Sequence, residues 1–465
     1  MRKALPFGER LTRAMLHGVS AALLLSCSSV TDALLEAEDP DLISPASARS
    51  DPGAVAVANG ALGRLRDVTA GAESTWLFGG LLADEWGTSS TFIQNDEADW
   101  RKIQDNNGSV QTQLRRLYRV RTAADQASTL LKEFSPTRTA LRGEMYFARG
   151  FAELQLAQDF CNGIPLSDGS GEVIKFGAPL PVATVFNAAI ASFDSAALVA
   201  TGTDAQSVLI QRASRVGKAR AQLGNNQFAA AATTVAGIAT TFRYQTTFSL
   251  TTSDNIIWNQ GLSAKRYSVA DSLEGNSRNL LVKNAVPFFS ARDPRVPVVD
   301  TRLPGQDGGT FVRTTLLYGR LTAIDVVNGI DARLIEAEAK LRGGDRAGWL
   351  TIMNALRTGT DRVTQVGDIV LAATALPALT LPASDTAAVS LHFREKAFWT
   401  FSRGQRLGDL RRLIRQHGRD PADVFPVGTH YKTISYGTDV VLPVTTDETN
   451  NPETKGLPAC IDRKA

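Results

Sequence analysis

Apolar residues recur at helical spacing along much of the chain. In the first clear segment they step by three and four positions, which places them on one face of a helix; they are Leu117, Val120, Ala124, Ala127 and Leu131. Residues 138–160 carry a wider apolar band, which indicates a helix packed on several sides. Ala-rich segments with a helical pattern follow at 183–200, 206–223 and 226–238. The pattern predicts a mainly α protein.

Two helix–turn–helix pairs are predicted. Gly224 and the Asn residues after it separate the last two Ala-rich segments. Gly343 and Gly344 end a later helix, and Asp345 can cap the helix that follows. These pairs are similar to tetratricopeptide hairpins, but they lie about 120 residues apart instead of repeating at about 34. A last helix is predicted from about residue 387 to 416.

Long polar segments separate the helical blocks, and any strands are short. The segments are rich in Gly, Pro, Asn, Asp and Thr and cover residues 84–109, 161–182, 241–320 and 417–465. Loops of this length in a compact protein are usually functional. Residues 440–442 are apolar for only three positions before Pro443, so a strand there would be minor.

The N-terminal segment is predicted to be an export signal. A basic stretch precedes an apolar run at residues 14–25, which is too short to span a bilayer as a helix. Cys27 follows Leu24, Leu25 and Ser26, an arrangement similar to the bacterial lipobox, in which the Cys is acylated and becomes the first residue. The alternative is an ordinary secretory signal with a Cys near the cleavage site.

The domain organisation follows from this reading. Residues 1–26 are predicted as a lipoprotein signal peptide and 27–50 as a flexible tether, with the acyl chains on Cys27 as the membrane anchor. Residues 51–465 are predicted as one body with two parts. The first part, at about 51–240, is helical, and the second, at about 241–465, is rich in loops and ends in helices. The hydrophobic fraction of 43% is ordinary for a globular protein and excludes a disordered chain.

Charge gives no indication of a nucleic-acid partner. The chain has 50 basic and 47 acidic residues, a formal net charge of +3. The basic residues of the signal segment account for this excess, so the body is neutral overall. We therefore expect no binding to nucleic acid.

Two cysteines remain when Cys27 is set aside. An exported protein lives where disulfides persist, and an even pair suggests one bridge. We therefore expect a disulfide between Cys161 and Cys460 that ties the end of the chain to the body. The alternative is two buried free thiols.

The sequence contains no recognisable catalytic or metal-binding motif. The four His residues form no zinc-binding spacing, and no nucleophile elbow or P-loop is present. Asp84 and Glu85 could suggest a glycosidase, but adjacent carboxylates at a helix end are more often solvated. The acidic loop at 167–172 could offer oxygen ligands to Ca²⁺ but lacks EF-hand spacing. We expect a protein that is not an enzyme and needs no cofactor, with Ca²⁺ unsupported.

Several stretches together resemble motifs of the SusD/RagB family of outer-membrane nutrient-binding lipoproteins. In chain order they are residues 142–147 with 163–166, 293–295, 333–339 with 343–345 and 354–357, 394–396 with 404–412, and 442–444 with 451–453. No single motif is specific, but their order covers nearly the whole mature chain. Arg403 stands where the family often has Glu, and Cys161 interrupts the usual turn before Gly163. The loops that hold the ligand site diverge most.

The resemblance implies both a fold and a function. The fold would be mainly α, a SusD-like body with tetratricopeptide-like pairs, long loops and minor strands. The protein would sit on the outer membrane, held by its lipid and exposed at the cell surface. It would bind an oligosaccharide, or sometimes a peptide, and deliver it to a TonB-dependent, SusC-like barrel. Two alternatives are an envelope scaffold that uses its helical hairpins for assembly, and a lipid-anchored glycoside hydrolase.

Aromatic residues on loops are the candidates for ligand binding, because sugars stack on exposed rings. The candidates are Trp86, Phe92, Trp100, Arg101, Trp258 and Tyr267, with Tyr318 as a further one. The alternative is that Trp86 and Trp100 only close their loop onto the body. The remaining tryptophans, Trp76, Trp349 and Trp399, are expected in the core.

Charged residues near the C-terminus are expected to be structural. Asp409 lies among basic residues that could form an ion-pair cluster fixing the last helix: Arg406, Arg411 and Arg412. Glu338, on an earlier helix, is expected to have a similar role.

Overall fold

Helices form at the segments that the apolar spacing indicates. In this computed structural model the N-terminal helices are α1 (Asp51–Arg66), α2 (Thr75–Leu82), α3 (Ile93–Asp99), α4 (Gly108–Phe134), α5 (Thr139–Asp159), α6 (Val182–Val199), α7 (Ala205–Gly224) and α8 (Phe228–Val235). The later helices are α9 (Gly329–Arg342), α10 (Arg346–Thr358), α11 (Asp385–Trp399) and α12 (Arg406–His417). The prediction of a mainly α fold with minor strands is confirmed.

The structure describes most of the chain after the N-terminal segment. The described residues are 44–171, 173–359, 363–366, 369–372, 375–454, 456 and 460–465. The predicted signal peptide, Cys27 and most of the tether lie outside them. Residues from Ser50 to Ala465 form one compact unit.

Side-chain caps fix where several helices begin. The Asn107 side chain accepts hydrogen bonds from the first turn of α4, and Asp204 does the same for α7. Asn328 and Asp331 form a capping box at the start of α9. Asp345 accepts a hydrogen bond from the Gly348 amide, 2.7 Å away, and so caps α10 as predicted.

The two predicted helix pairs lie together in space. α7 packs on α8 and α9 packs on α10, and α8 also contacts α9. The long insertion between the pairs therefore does not separate them. Within the N-terminal stack, Gly217 on α7 lies against the ring of Phe193 on α6, where an added Cβ would be 2.5 Å from the ring. A larger residue at 217 would push these helices apart.

One helix has the composition of a membrane span. Among the described residues, α6 is long and apolar enough to cross a bilayer by length and composition alone. Its Phe186, Ala189 and Phe193 are buried, and the helix packs on α5 and α7. We therefore interpret α6 as a core helix.

The described strands are short and pair in twos. The antiparallel pairs are β1 (Trp86–Thr88) with β5 (Tyr267–Val269), β2 (Ile164–Pro165) with β3 (Pro179–Leu180), β4 (Arg243–Thr246) with β10 (Ile324–Asn328), β6 (Leu273–Glu274) with β7 (Leu280–Leu281), β8 (Val298–Pro304) with β9 (Phe311–Thr315), and β11 (Val363–Val366) with β12 (Ile369–Ala372). Two of these pairs, β1 with β5 and β4 with β10, join segments that are far apart in sequence.

The predicted single helix at residues 387–416 is wrong, because it divides into α11 and α12. Between them, Ser402 and Gly404 have left-handed backbone conformations, with φ of 57° and 63°. Gly404 lies against the Trp76 ring, where no Cβ would fit, and its carbonyl accepts a hydrogen bond from Gln155. The spacing of apolar residues continues through the break, so it gave no indication of this turn.

The expectation that Asp84 and Glu85 are solvated is also wrong. They are 5% and 1% exposed, and the Ser402 amide donates a hydrogen bond of 3.2 Å to Glu85 Oε1. Burial raises the pKa of Glu85 from its ordinary value of 4.5 to about 8, and raises that of Asp84 well above its usual range. Both are therefore core groups, and Glu85 favours the protonated form at neutral pH.

Ion pairs fix α12 against its neighbours, though not with all the predicted partners. Asp409 pairs with Lys396 at 2.7 Å and with Arg412 at 3.2 Å, and Arg412 also pairs with Glu338. Arg411 instead donates to the carbonyl oxygens at the end of α5. Arg406 forms no ion pair with Asp409. The cluster is structural, as expected. Among the described residues, the cations that pair with Asp409 are Lys396 and Arg412, and not the three predicted arginines.

A disulfide joins Cys161 and Cys460, with Cα atoms 5.9 Å apart across 299 residues of sequence. Around it, the Asn162 side chain donates to Asp462, and the Ile461 amide donates to the Asn162 carbonyl. The structure thus holds the chain end beside the end of α5, where the sequence placed it.

Reduction of this disulfide should lower the stability of the protein. A closed loop of this length restricts the unfolded chain, and loss of such a bridge costs roughly 2–5 kcal/mol. We expect dithiothreitol to lower the thermal unfolding midpoint of the wild type. A variant with Cys161→Ser and Cys460→Ser should have the lowered midpoint with or without reductant. Equal wild-type midpoints in both conditions would contradict the prediction.

Glu85→Gln should remove part of the pH dependence of folding. The folded protein holds Glu85 in its protonated form. The stability that this gives is fully present below pH 4.5 and is lost as pH rises through about 8. At pH 8 the variant should therefore exceed the wild type in unfolding free energy by more than about 1 kcal/mol, and the difference should shrink at pH 5. Urea unfolding at both pH values measures this. The matched control is Glu133→Gln, an exposed position on α4, which should change neither value.

Candidate functional site

Two of the predicted ligand-binding aromatics belong to the core. Trp86 and Tyr267 are fully buried on the paired strands β1 and β5. The Trp86 ring lies 5.3 Å from the Phe401 ring and 6.4 Å from the Tyr267 ring. The expectation that they offer ring faces to a ligand is therefore wrong, because other side chains cover those faces. The alternative, that Trp86 closes its loop onto the body, agrees with this packing.

Arg101 holds the C-terminal segment and does not face solvent. It is 2% exposed, and its guanidinium donates to the Asp439 carbonyl at 2.9 Å and to the Pro426 carbonyl at 2.6 Å. The same group lies 4.7 Å from the centre of the Phe425 ring. Its predicted role in ligand binding is corrected to a structural one.

The other predicted residues keep some exposure. Phe92 is 46% exposed, with the Arg266 guanidinium 5.1 Å from its ring centre. Trp100 is half-buried and lies edge-on to His430, at 6.3 Å between ring centres. Trp258 is also half-buried, in a single helical turn capped by Asn255. These three remain predictions.

A polar cavity of about 430 Å³ lies where four separate loops meet. They are the segment from β1 into α3, the β6–β7 turn, the β8–β9 turn and a C-terminal loop. The lining residues are Ser90, Asp96, Gly275, Asn276, Asp307, Gly309, Thr310, Tyr431 and Lys432. The predicted 86–101 loop thus lines a cavity, but through Ser90 and Asp96 and not through its tryptophans.

Lys432 is the central charge of this cavity. Its Nζ lies 2.7 Å from Asp96, 3.5 Å from Asp307 and 3.1 Å from the Ser90 carbonyl oxygen. Burial raises the pKa of Asp96. For Asp307 the effect of burial is outweighed by hydrogen bonds from Thr310, and the pKa is lowered. The cavity therefore presents one ammonium and two carboxylates to whatever enters it.

Asp99 anchors the C-terminal loop that carries Lys432. Its Oδ2 accepts hydrogen bonds from the Thr88 amide at 2.6 Å and the Tyr431 hydroxyl at 2.8 Å, and lies 3.0 Å from His430 Nε2. The same hydroxyl oxygen also lies within hydrogen-bond distance of the Thr88 carbonyl oxygen. These contacts fix the loop against β1, so the position of Lys432 is set before any ligand binds.

Sequence reasoning missed most of the lining residues. Asn276, Asp307 and Lys432 lie on polar segments with no motif or spacing that distinguishes them. Asp307 is part of an Asp-Gly-Gly turn, a pattern that predicts a turn only. Tyr318 lies elsewhere, in a smaller cavity of about 120 Å³ that Trp399 also lines.

The acidic loop at 167–172, for which Ca²⁺ binding was unsupported by the sequence, makes internal hydrogen bonds. Asp168 Oδ1 accepts from the Ser170 amide at 2.9 Å and from the Ser170 hydroxyl at 2.6 Å. Glu172 lies outside the described residues. Within the part of the chain that the structure describes, no group of three or more His, Cys, Asp or Glu side chains is placed to hold a metal ion.

This sequence matches no protein-family model and no curated protein. The fold does match solved structures. A SusD superfamily protein from Bacteroides vulgatus is 14% identical, with a TM-score of 0.61 over 87% of this chain and 98% of its own. A SusD/RagB family protein from Bacteroides thetaiotaomicron is 10% identical, with a TM-score of 0.57 over 86% and 94%.

A third similar structure carries a functional description. It is a SusD-like carbohydrate binding protein from Bacteroides vulgatus, 15% identical, with a TM-score of 0.53 over 78% of this chain and 83% of its own. The resemblance read from the motifs is thus confirmed in three dimensions. This chain has the fold of the SusD superfamily.

Proposed function

We propose that the protein is a non-catalytic, lipid-anchored protein of the outer membrane that binds an oligosaccharide at the polar cavity and delivers it to a TonB-dependent barrel. The observation that carries the proposal is the polar cavity, built by four distant loops on a SusD-like fold. The description of one structural neighbour as carbohydrate binding supports the ligand class.

The cavity has the size and chemistry that a sugar needs. Small-molecule sites commonly measure about 300–1,000 Å³, and this cavity measures about 430 Å³. Carboxylates, an amide, hydroxyls and an ammonium line it, so each sugar hydroxyl can find a donor or an acceptor. Phe92 follows Ser90 on the same loop with almost half of its surface exposed, which offers a ring for the apolar face of a sugar.

The charges favour neutral over acidic sugars. Asp96 and Asp307 outnumber Lys432, so a uronic acid would meet net negative charge at short range. The proposed ligand class is therefore a neutral oligosaccharide.

Membrane attachment and the transporter partner rest on the sequence. The lipobox-like residues before Cys27 and the tether after it suit a body held close to a barrel mouth. The transporter is the partner that the family resemblance implies.

Substitutions in the cavity should weaken glycan binding. Asp96→Asn and Lys432→Gln each remove a charge that holds sugar hydroxyls, so we expect at least a tenfold rise in Kd, about 1.4 kcal/mol. Phe92→Ala should also weaken binding. Isothermal titration with a glycan identified on an array of neutral and acidic oligosaccharides measures this.

The matched control is Lys218→Gln. Lys218 forms a similar pair with Asp194, 2.6 Å away, on the outer surface of α6 and α7. Its loss should leave the affinity unchanged. If Asp96→Asn, Lys432→Gln and Phe92→Ala all bind the glycan as the wild type does, the cavity is not the site.

Purification of the tagged, lipidated protein from solubilised outer membranes should yield a large β-barrel transporter in stoichiometric amount. Mass spectrometry of the associated proteins identifies it, with Cys27→Ser, which should remove the anchor, as the control. Recovery of a soluble envelope complex in its place would favour the scaffold alternative. Release of reducing sugars from polysaccharides would favour the hydrolase.

A further inference from the structure

A second cavity, of about 300 Å³, lies between α11, α12 and two loops at residues 284–287 and 419–424. It shares no lining residue with the polar cavity. Its lining residues are Asn284, Ala285, Val286, Pro287, Ser390, Phe393, Arg394, Arg406, Leu410, Leu413, Arg419, Asp423 and Val424. The combination of three arginines with an apolar wall distinguishes this cavity.

Arg406 is a buried cation without a partner. Its residue surface is only 6% exposed, and its Nε is buried with no hydrogen bond. Across the described residues its guanidinium makes no hydrogen bond or ion pair, and Asp409 nearby is already paired with Lys396 and Arg412. Burial of a charge without a partner destabilises the folded state, because the charge loses its hydration. A ligand with the opposite charge would offset this loss.

The other two arginines leave the cavity positive. Arg394 is exposed and, among the described residues, has no bonded partner. Among the described residues, Arg419 donates to two neutral acceptors, the Thr386 carbonyl at 3.0 Å and the Ser390 hydroxyl at 3.2 Å. The single lining carboxylate, Asp423, pairs with Lys283 at 3.2 Å.

Three carboxyl groups act on Arg406 through space without forming an ion pair with it: Glu85, Asp409 and Asp84. Burial raises the pKa of Glu85 to about 8 and raises that of Asp84 well above its usual range. Glu85 therefore favours the neutral form at pH 7, and Asp409 is already paired with Lys396 and Arg412. The positive charge of Arg406 is available to a ligand.

We propose that this cavity binds a small organic carboxylate with an apolar body. The carboxylate would sit between the guanidinium groups of Arg406 and Arg394, because a guanidinium offers paired N–H donors that match a carboxylate. The apolar body would lie on the wall formed by Val286, Pro287, Phe393, Leu410, Leu413 and Val424. The site is separate from the proposed glycan site and does not depend on it.

The test uses 4-phenylbutyrate as the probe and its neutral amide as the matched ligand, measured by isothermal titration and thermal unfolding of the full protein. The carboxylate should bind the wild type and raise its unfolding midpoint, and the amide should bind at least tenfold more weakly. Arg406→Gln and Arg394→Gln should each weaken carboxylate binding at least tenfold. Arg212→Gln, an exposed arginine on α7, is the control and should bind as the wild type does.

The Arg406 variant should be stable, and several outcomes would overturn the proposal. Arg406→Gln removes an unpaired buried charge, so it should fold with an unfolding midpoint no lower than the wild type without ligand. If it fails to fold, Arg394→Gln, at an exposed position, gives the same answer. No binding of 4-phenylbutyrate, equal affinity for its amide, or unchanged affinity in the arginine variants would overturn the proposal. Inorganic phosphate that binds as tightly as the probe would overturn the role of the apolar wall.

Discussion

The buried turn at residues 400–405 holds together parts of the chain that are far apart in sequence. Gly404 lies against Trp76 of α2, Phe401 lies against Trp86 of β1, and Arg403 pairs with Asp331 of α9 at 2.7 Å. Gly404 has no Cβ, which lets its backbone approach the Trp76 ring, and its φ of 63° is a conformation that glycine adopts without strain. The cavity with Arg406 opens directly after this turn.

The buried charged groups of this protein are accommodated in different ways. Arg412 pairs with both Glu338 and Asp409, so removing Arg412 would leave Glu338 buried without its arginine partner, which is costly in the low dielectric of the core. Glu85 meets the same constraint by favouring its neutral form. Arg406 follows neither route, since arginine does not lose its proton near neutral pH. This contrast is what makes its cavity a candidate for an anion.

The helices support the loops, and the loops line the polar cavity. Helix pairs that are distant in sequence lie in contact through α8 and α9. The polar cavity is assembled on the helical body from four loops, with Asp99 and the short strands as attachments. The cavity can therefore vary in its lining residues while the body keeps its shape, which agrees with similar folds at 10–15% identity.

The sequence by itself determined the helices, the capping of α10, the buried positions of Trp76 and Trp349, the cysteine pair and the likeness to a known fold, because these depend on spacing, on local hydrogen bonds or on the order of motifs. Only the tertiary structure decided which aromatics are available to a ligand. Trp86 and Phe92 lie six residues apart on one polar segment, and nothing local distinguishes the buried ring from the exposed one. The same holds for Asp96, Asp307 and Lys432, which meet only because distant loops converge, and local spacing carries no information about such contacts.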